Sequence, residues 1–223
     1  MADFTAARRN MVDSQVRTSD VTDPALIAAM LAIPRERFLP AAKASLAYLD
    51  YDVPVLEAAP DRPARRLFKP MVLAKLIQAA SPAESDHALD VGCATGYSAA
   101  LLSRLVADVI ALEEDAGLAR AAKERLSEAG CANVEAVEGP LAAGWEPSAP
   151  YDVILLDGAV EILPQALCDQ LREGGRLVCI RGSGPAAKAM LYRRDSGEIS
   201  GRPIFDAAAA LLPGFAETPG FVF

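Results

Sequence analysis

Histidine is nearly absent from this chain of 223 residues, which contains His87 and no other. The cysteines Cys93, Cys131, Cys168 and Cys179 show no C-x-x-C spacing, so neither a zinc site of cysteine and histidine ligands nor a disulfide framework is expected. A single histidine also excludes most Ser-His-Asp and Cys-His machinery unless His87 itself is the base. Its place beside a predicted buried strand disfavours that role.

Long apolar runs and an excess of basic charge are missing too. No segment approaches the roughly 20 apolar residues that span a bilayer, and residues 1–17 lack the apolar core of a secretory signal. We therefore expect a cytoplasmic protein without a membrane partner. The 22 basic residues against 30 acidic ones give a formal net charge of -8, which disfavours nucleic acid as a partner because duplex binders present a broad basic face.

Apolar residues are abundant, at 52% of the chain, and 23% of the residues are charged. This balance is typical of a globular protein. The length suffices for one well-buried core and is too short for two ordinary domains. We therefore expect a single domain over residues 1–223, with a section of helices and a loop over 1–69 and an α/β core over 70–223.

The N-terminal section is predicted to contain two short helices followed by a loop. Thr5–Val16 contains no helix breaker, and a second helix begins at Pro24, capped by Asp23. This second helix ends at Pro34. The stretch Ala58–Arg66, rich in proline and arginine, is predicted to be a loop.

From Pro70 onward the chain alternates predicted helices and strands. In order they are helix VLAKLIQAA, strand Ala88–Val91, helix Tyr97–Leu105, strand Val109–Glu113, a helix ending at Gly130, strand NVEAV, strand Tyr151–Asp157, helix LPQALCDQL and strand GRLVCI. Continuous apolar strands in this alternation predict a doubly wound, mostly parallel α/β sheet covered on both faces. A turn at Asp195-Ser196-Gly197 and a later β-like run ending in FVF predict a C-terminal antiparallel hairpin.

The strongest local signal is the sequence LDVGCATG over residues 89–96, where a strand runs into a tight turn and then a helix. Gly92 and Gly96 permit close approach of a ligand, and the free N–H groups of the helix face that ligand. The turn is therefore predicted to be a cofactor cradle. It lacks the G-x-G-x-x-G spacing of a nucleotide-phosphate turn, which disfavours a nicotinamide dehydrogenase.

Carboxylates accompany this turn. Glu113 ends the next strand about twenty residues after Asp90, where doubly wound folds place a carboxylate on ribose hydroxyls. Asp90 itself lies at the crevice end of its strand, where it suits the positively charged methionine portion of a sulfonium cofactor. These observations favour S-adenosylmethionine as the cofactor.

The chain resembles the protein-L-isoaspartate O-methyltransferase family of Rossmann-like methyltransferases. The resemblance rests, in order, on RRNMVDSQVRTSDVTDPALIAAMLAIPRERFLP, LDVGCATGYSAALLSRL, VIALEE and GWEPSAPYDVILLDGAVEILPQALCDQLREGGRLV. It implies methyl transfer from S-adenosylmethionine to an isoaspartyl carboxylate in damaged protein. It also implies cofactor-binding roles for Asp90, Gly92, Cys93, Thr95, Gly96 and Glu113.

Two further residues are cofactor-site candidates because of their positions. Tyr97 begins the helix after the glycine turn, and Asp157 lies at the carboxyl end of its strand, which borders the crevice in this fold class. No catalytic residue is assigned. The carboxylate that accepts the methyl group is already ionised at neutral pH, so its placement matters more than a general base.

Three positions depart from the family pattern. Phe68 stands where the family carries the serine of a T-I-S sequence, Met71 follows Pro70 where histidine or tyrosine is common, and Gly139-Pro140-Leu141 replaces a G-D-G sequence near the adenine. These changes leave two alternatives open. One is a methyltransferase of the same fold for a small-molecule acceptor, for example a small carboxylate, and the other is a protein that binds the cofactor without catalysis.

A basic cluster precedes these changes. Arg65, Arg66 and Lys69 either attract a carboxylate or phosphate of the acceptor or form a solvated loop.

Overall fold

A seven-stranded sheet lies at the centre of the structure, a computed structural model that describes residues 3–60 and 62–217. Its strands are β3 (His87–Val91), β4 (Asp108–Glu113), β5 (Val134–Glu138), β6 (Tyr151–Val160), β7 (Leu171–Arg181), β8 (Lys188–Asp195) and β9 (Glu198–Asp206). Their order across the sheet is β5-β4-β3-β6-β7-β8-β9. The first five strands in this order are parallel, and β8 and β9 are antiparallel. This order confirms the doubly wound, mostly parallel class and the C-terminal hairpin.

Helices cover the sheet and form the N-terminal section. They are α1 (Phe4–Met11), α2 (Pro24–Ala32), α3 (Pro70–Ala80), α4 (Tyr97–Leu102), α5 (Ala116–Glu128) and α6 (Gln165–Asp169). The predicted cap of α2 is confirmed, because the Asp23 carboxylate accepts from the first turn and Pro24 occupies the first helical position. Among the described residues, no helix is both long and apolar enough to cross a membrane.

The parallel strands are buried on both faces because their side chains alternate between two apolar clusters. One cluster takes Ala88, Ala111, Val153 and Val178, and the other takes their chain neighbours Leu89, Ile110, Ile154 and Leu177. A period of two places successive side chains on opposite faces of a sheet, and a parallel sheet is covered on both. The continuous apolar runs in the sequence follow from this double burial.

Several predicted boundaries were wrong. The helix predicted over Thr5–Val16 is an α-helix only to Met11 and continues as a π-helical turn over Val12–Val16. The helix that follows the glycine turn ends at Leu102 instead of Leu105. The residues 221–223 of the predicted β-like run lie outside the described residues.

The predicted loop Ala58–Arg66 was also partly wrong. Arg65 and Arg66 begin a short strand, β2 (Arg65–Leu67), which pairs antiparallel with β1 (Val53–Leu56). The side chains of β2 alternate between buried, exposed and buried positions. A strand in which the buried position is arginine does not show the apolar alternation that predicts strands.

Arg35 connects the turn that follows α2 to the segment that leads from β2 into α3. Its side chain is completely buried, and its Nε and Nη2 donate to the carbonyl oxygens of Ala47 and Phe68 at 2.8 and 2.7 Å. The guanidinium also lies over the ring of Tyr97, 4.8 Å from its centre. Burial lowers the pKa of Arg35, and Tyr97 and Asp157 oppose that shift.

We expect Arg35→Ala to lower the free energy of unfolding by about 2 kcal/mol or more, because it leaves two buried carbonyl groups without donors. Urea unfolding followed by circular dichroism measures the change. Arg37→Ala is the matched control, since Arg37 lies in the same turn and is exposed. Equal losses in the two variants would contradict the connecting role of Arg35.

Candidate active site

The glycine turn at the end of β3 has a backbone that few side chains tolerate. Gly92, Ala94 and Gly96 all have positive φ angles, of 79°, 51° and 91°. The amides of Gly92 and Cys93 both donate to the carbonyl of Leu112 in β4, at 2.8 and 3.2 Å. The turn therefore folds back onto the neighbouring strand, and glycine is required where φ is positive and a neighbour is close.

Glu113 lies at the centre of the site and is completely buried. Its Oε2 accepts from the amide of Ala94 at 2.8 Å, and its Oε1 accepts from the amides of Glu114 and Asp115 at 2.9 and 3.2 Å. Oε1 also pairs with Nη1 of Arg65 at 2.7 Å. This one carboxylate thus joins the glycine turn, the start of α5 and strand β2.

The Arg65 side chain is only 5% exposed and reaches across the crevice. Its Nη2 donates to the carbonyl of Gly92 at 2.7 Å. A Cβ added at Gly92 would lie 2.9 Å from Nη2 of Arg65 and 3.0 Å from Cδ2 of Leu212. The face of Gly92 that lacks a side chain is therefore covered by these two residues.

A second group of buried acids lies beside the turn. The hydroxyl of Ser98 lies 2.6 Å from Oδ2 of Asp90 and also contacts Oδ2 of Asp157. A hydroxyl carries one proton, so two such contacts are satisfied when one carboxyl group is protonated and donates to the hydroxyl. Burial raises the pKa of Asp157 to about 7. Burial, and then the charge of Asp157, also raise the pKa of Asp90 well above its ordinary value.

Each of these two acids has one carboxyl oxygen that makes no hydrogen bond. Oδ1 of Asp90 and Oδ1 of Asp157 are buried and have no hydrogen-bond partner among the described residues. Buried polar atoms of this kind are rare in native proteins and call for an explanation such as a bound ligand. They make this acid pair suitable for a cationic group.

The remaining predicted cofactor residues on the turn and α4 face the N-terminal section. The Thr95 hydroxyl donates to the carbonyl of Phe38. The ring of Tyr97 packs edge-on against the ring of Phe38, with centres 5.6 Å apart. Cys93 is completely buried, which raises the pKa of its thiol. In this conformation these side chains hold the turn in place.

The predicted basic cluster does not act as a unit. Arg65 is buried against Glu113, whereas Arg66 is exposed. Lys69 is partly buried, and its backbone amide donates to the Asp52 carboxylate at 2.8 Å. Phe68 is 4% exposed and packs in the apolar core. Only one of the three cations therefore reaches the glycine turn.

The crevice around the turn is nearly filled. A space of about 10 Å³ is left between β2, Asp157 and residues 209–212, and a cavity of about 260 Å³ lies beside Glu113 and Arg65. Pockets for small ligands typically measure roughly 300–1,000 Å³. A larger cavity, of about 440 Å³, lies between the end of α5 and the start of β5. It is lined by residues of α5, the following loop and β5, and none of the buried acids of the site borders it.

Sequence reasoning missed three residues of the site, Arg35, Ser98 and Leu212. Ser98 is the second residue of α4, and its spacing of eight from Asp90 gives no signal of contact. Leu212 arrives from the C-terminal segment, which Leu211 attaches to the sheet by a bridge to Ala159. Such contacts depend on how distant segments pack, so no local pattern indicates them.

Comparison with known proteins agrees with this architecture. The model of the protein-L-isoaspartate(D-aspartate) O-methyltransferase family matches residues 6–207. A protein-L-isoaspartate O-methyltransferase of Koribacter versatilis is 35% identical over 211 residues, covering 95% of this chain and 92% of that protein. One of Geotalea uraniireducens is also 35% identical, covering 86% and 84% of the two chains. The chain belongs to this family.

Solved structures of the family share the fold. A protein-L-isoaspartate O-methyltransferase has a TM-score of 0.80 at 24% identity, covering 93% of this chain and 66% of that one. A Plasmodium falciparum protein described as a putative family member, in complex with S-adenosyl-L-homocysteine, has a TM-score of 0.73 at 18% identity, covering 95% and 99%. The family consists of methyltransferases that use S-adenosylmethionine, so the predicted recognition, fold and enzyme class are confirmed.

We expect the stability of the protein to fall with rising pH because of Asp157. Its pKa in the folded state, about 7, lies above the ordinary value of 3.8, so the folded state binds the proton more tightly. The stabilisation from this group is full below about pH 4 and is lost as the pH rises through about 7. Asp157→Asn does not titrate. Relative to wild type, the variant should gain up to about 1.4 kcal/mol per pH unit across this window.

Urea unfolding of wild type and Asp157→Asn at several pH values between 4 and 8 measures this gain. Asp195→Asn is the control, because Asp195 is exposed at the end of β8. A difference between wild type and Asp157→Asn that stays constant with pH would show that Asp157 does not titrate in this window.

Proposed function

We propose that this chain transfers the methyl group of S-adenosylmethionine to the carboxylate of an isoaspartyl residue in a protein or peptide. The observation that carries the proposal is the buried Glu113 carboxylate beside the Gly92 turn, 2.8 Å from the Ala94 amide. In doubly wound folds a carboxylate at this point binds ribose hydroxyls. Membership of the family supplies the reaction type and the class of acceptor.

The acids of the site fit the charge of this cofactor. S-adenosylmethionine carries an ammonium and a sulfonium group, and the unpartnered oxygens of Asp90 and Asp157 offer acceptors for cations. Gly92 leaves room for a ligand once Arg65 has moved, and Gly96 lets the turn pack closely on Leu126 and Ala122 of α5. We assign Asp90, Gly92, Gly96, Glu113 and Asp157 to direct cofactor contacts.

We assign Cys93, Thr95 and Tyr97 to the same site through the shape of the turn. Their side chains are buried, and Thr95 and Tyr97 contact Phe38. They therefore fix the backbone that the cofactor meets.

Placement and exclusion of water are the chain's contribution to the chemistry. When bound, S-adenosylmethionine supplies an electrophilic methyl group. A carboxylate acceptor is ionised at neutral pH, so the site needs no residue that removes a proton from it. Holding the two reactants in line supplies much of the rate enhancement of such a displacement.

A second candidate is methyl transfer to a small carboxylate, and Phe68 favours it. This residue stands where the family carries a serine, and its side chain is buried, so the position offers no hydroxyl to an acceptor. A pocket without that donor suits an acceptor other than an isoaspartyl peptide.

We also propose that the protein acts in the cytoplasm. Cys93, Cys131, Cys168 and Cys179 are all free and buried. Unpaired cysteines are typical of a reducing compartment.

The test is transfer of labelled methyl from S-adenosylmethionine to an isoaspartyl peptide, with the matching aspartyl peptide as control. We expect transfer to the isoaspartyl peptide alone. Binding of S-adenosylhomocysteine, measured by calorimetry on the same sample, separates the steps. Transfer only to small carboxylates would favour the second candidate, and binding without any transfer would contradict an enzymatic role.

Phe68→Ser tests whether the missing hydroxyl limits the reaction. A hydroxyl that donates to an anionic acceptor stabilises the complex by about 1.5–3 kcal/mol, so we expect kcat/KM for the isoaspartyl peptide to rise about tenfold or more. Phe68→Ala is the matched control because it removes the same ring without adding a hydroxyl. Equal kcat/KM values for the two variants would show that the hydroxyl has no role.

A further inference from the structure

Arg65 occupies the place that the proposed function gives to the cofactor. Its guanidinium binds the Glu113 carboxylate and the Gly92 carbonyl, both at 2.7 Å. We propose that Arg65 is an internal competitor for the cofactor site, and that S-adenosylmethionine binds only after this side chain has left Glu113. The proposal rests on the proposed cofactor site and adds a means of regulating it.

The contacts of Arg65 are those of a ligand. The Nη2 atom lies against the open face of Gly92, 2.9 Å from where a Cβ would be. The Nη1 atom takes the carboxylate oxygen that also accepts the amides of Glu114 and Asp115. A ribose hydroxyl that donates to this oxygen of Glu113 needs the same position. Guanidinium and cofactor therefore exclude each other.

Leu212 closes the same crevice from the other side. Its side chain is 3.0 Å from a Cβ added at Gly92 and 2.6 Å from one added at Gly158. The space left between Arg65 and Leu212 has a volume of about 10 Å³. In this conformation the turn is closed to a molecule as large as S-adenosylmethionine.

The Arg65 side chain has a cavity of about 260 Å³ beside it into which it can turn, while Leu67 and Phe68 hold the end of its strand in the core. Strands β1 and β2 form a separate two-stranded sheet, so their displacement breaks no hydrogen bond of the seven-stranded sheet. Strand β2 has three residues, and the register shifts between Pro54 and Leu56, beside Arg65. The ion pair of Arg62 with Asp115, at 3.6 Å, is partly exposed and contributes little to holding the segment.

We call molecules closed when Arg65 binds Glu113 and open when it does not. The apparent affinity for the cofactor equals the affinity of the open form multiplied by the fraction of molecules that are open. If closed molecules outnumber open ones by about ten to one, removal of Arg65 raises the affinity about tenfold. Removal also leaves Glu113 buried without a cation, which further favours a ligand that hydrogen-bonds to it. Both effects act in the same direction.

The test is calorimetric titration of wild type, Arg65→Ala, Arg65→Gln and Arg66→Ala with S-adenosylmethionine and with S-adenosylhomocysteine. We expect both Arg65 variants to bind each compound about tenfold more tightly than wild type. Arg66→Ala is the matched control, because it removes the exposed neighbouring cation, and its affinity should equal that of wild type. Cooperative thermal unfolding without ligand establishes that each variant is folded.

The outcomes separate this proposal from the proposed function. Weaker binding by both Arg65 variants would make Arg65 a cofactor ligand, and unchanged binding would leave it a structural residue. Either result would contradict the proposal that Arg65 competes with the cofactor. Absence of binding in every variant overturns both proposals. Tighter binding by the Arg65 variants without methyl transfer supports the competitor and contradicts the enzymatic role.

Discussion

The buried carboxylate of Glu113 is the interaction on which the rest of the site depends. Its two oxygens accept from three backbone amides and from Arg65. An ionised carboxylate without such partners is costly to bury. A single charge therefore positions the glycine turn, the start of α5 and strand β2. A ligand that displaces one of the donors to Glu113 must itself donate a hydrogen bond to this carboxylate.

A second constraint is the pair of buried acids Asp90 and Asp157, which both contact the hydroxyl of Ser98. Two acids on one hydroxyl cannot both remain charged at low cost in a buried site. The arrival of a cationic group would favour the ionised forms of both acids. The two halves of the site thus differ, since Glu113 is paired with an arginine whereas burial raises the pKa of both Asp90 and Asp157.

Local patterns in the sequence predict only part of this candidate site. The Gly92 turn and Glu113 follow from the end of a buried strand and from the spacing of successive strands. The position of Arg65 could not be predicted from the sequence, because its partner Glu113 is 48 residues away and arginine is usually exposed. Ser98 and Leu212 were missed for the same reason. Leu212 comes from a distant segment, and Ser98 meets Asp157 across 59 residues of the chain.

The burial of Arg35 has a consequence for the modularity of the fold. Residues of the N-terminal helices, such as Met11, Val16 and Leu26, lie in the same apolar cluster as Ala88 of the sheet. Arg35 adds a contact from this section to α4, because its guanidinium lies 4.8 Å from the centre of the Tyr97 ring. The α/β core is therefore not an interchangeable unit. A chimera that grafts residues 70–217 onto another N-terminal section would have to supply both an apolar surface and a buried cation over the ring of Tyr97.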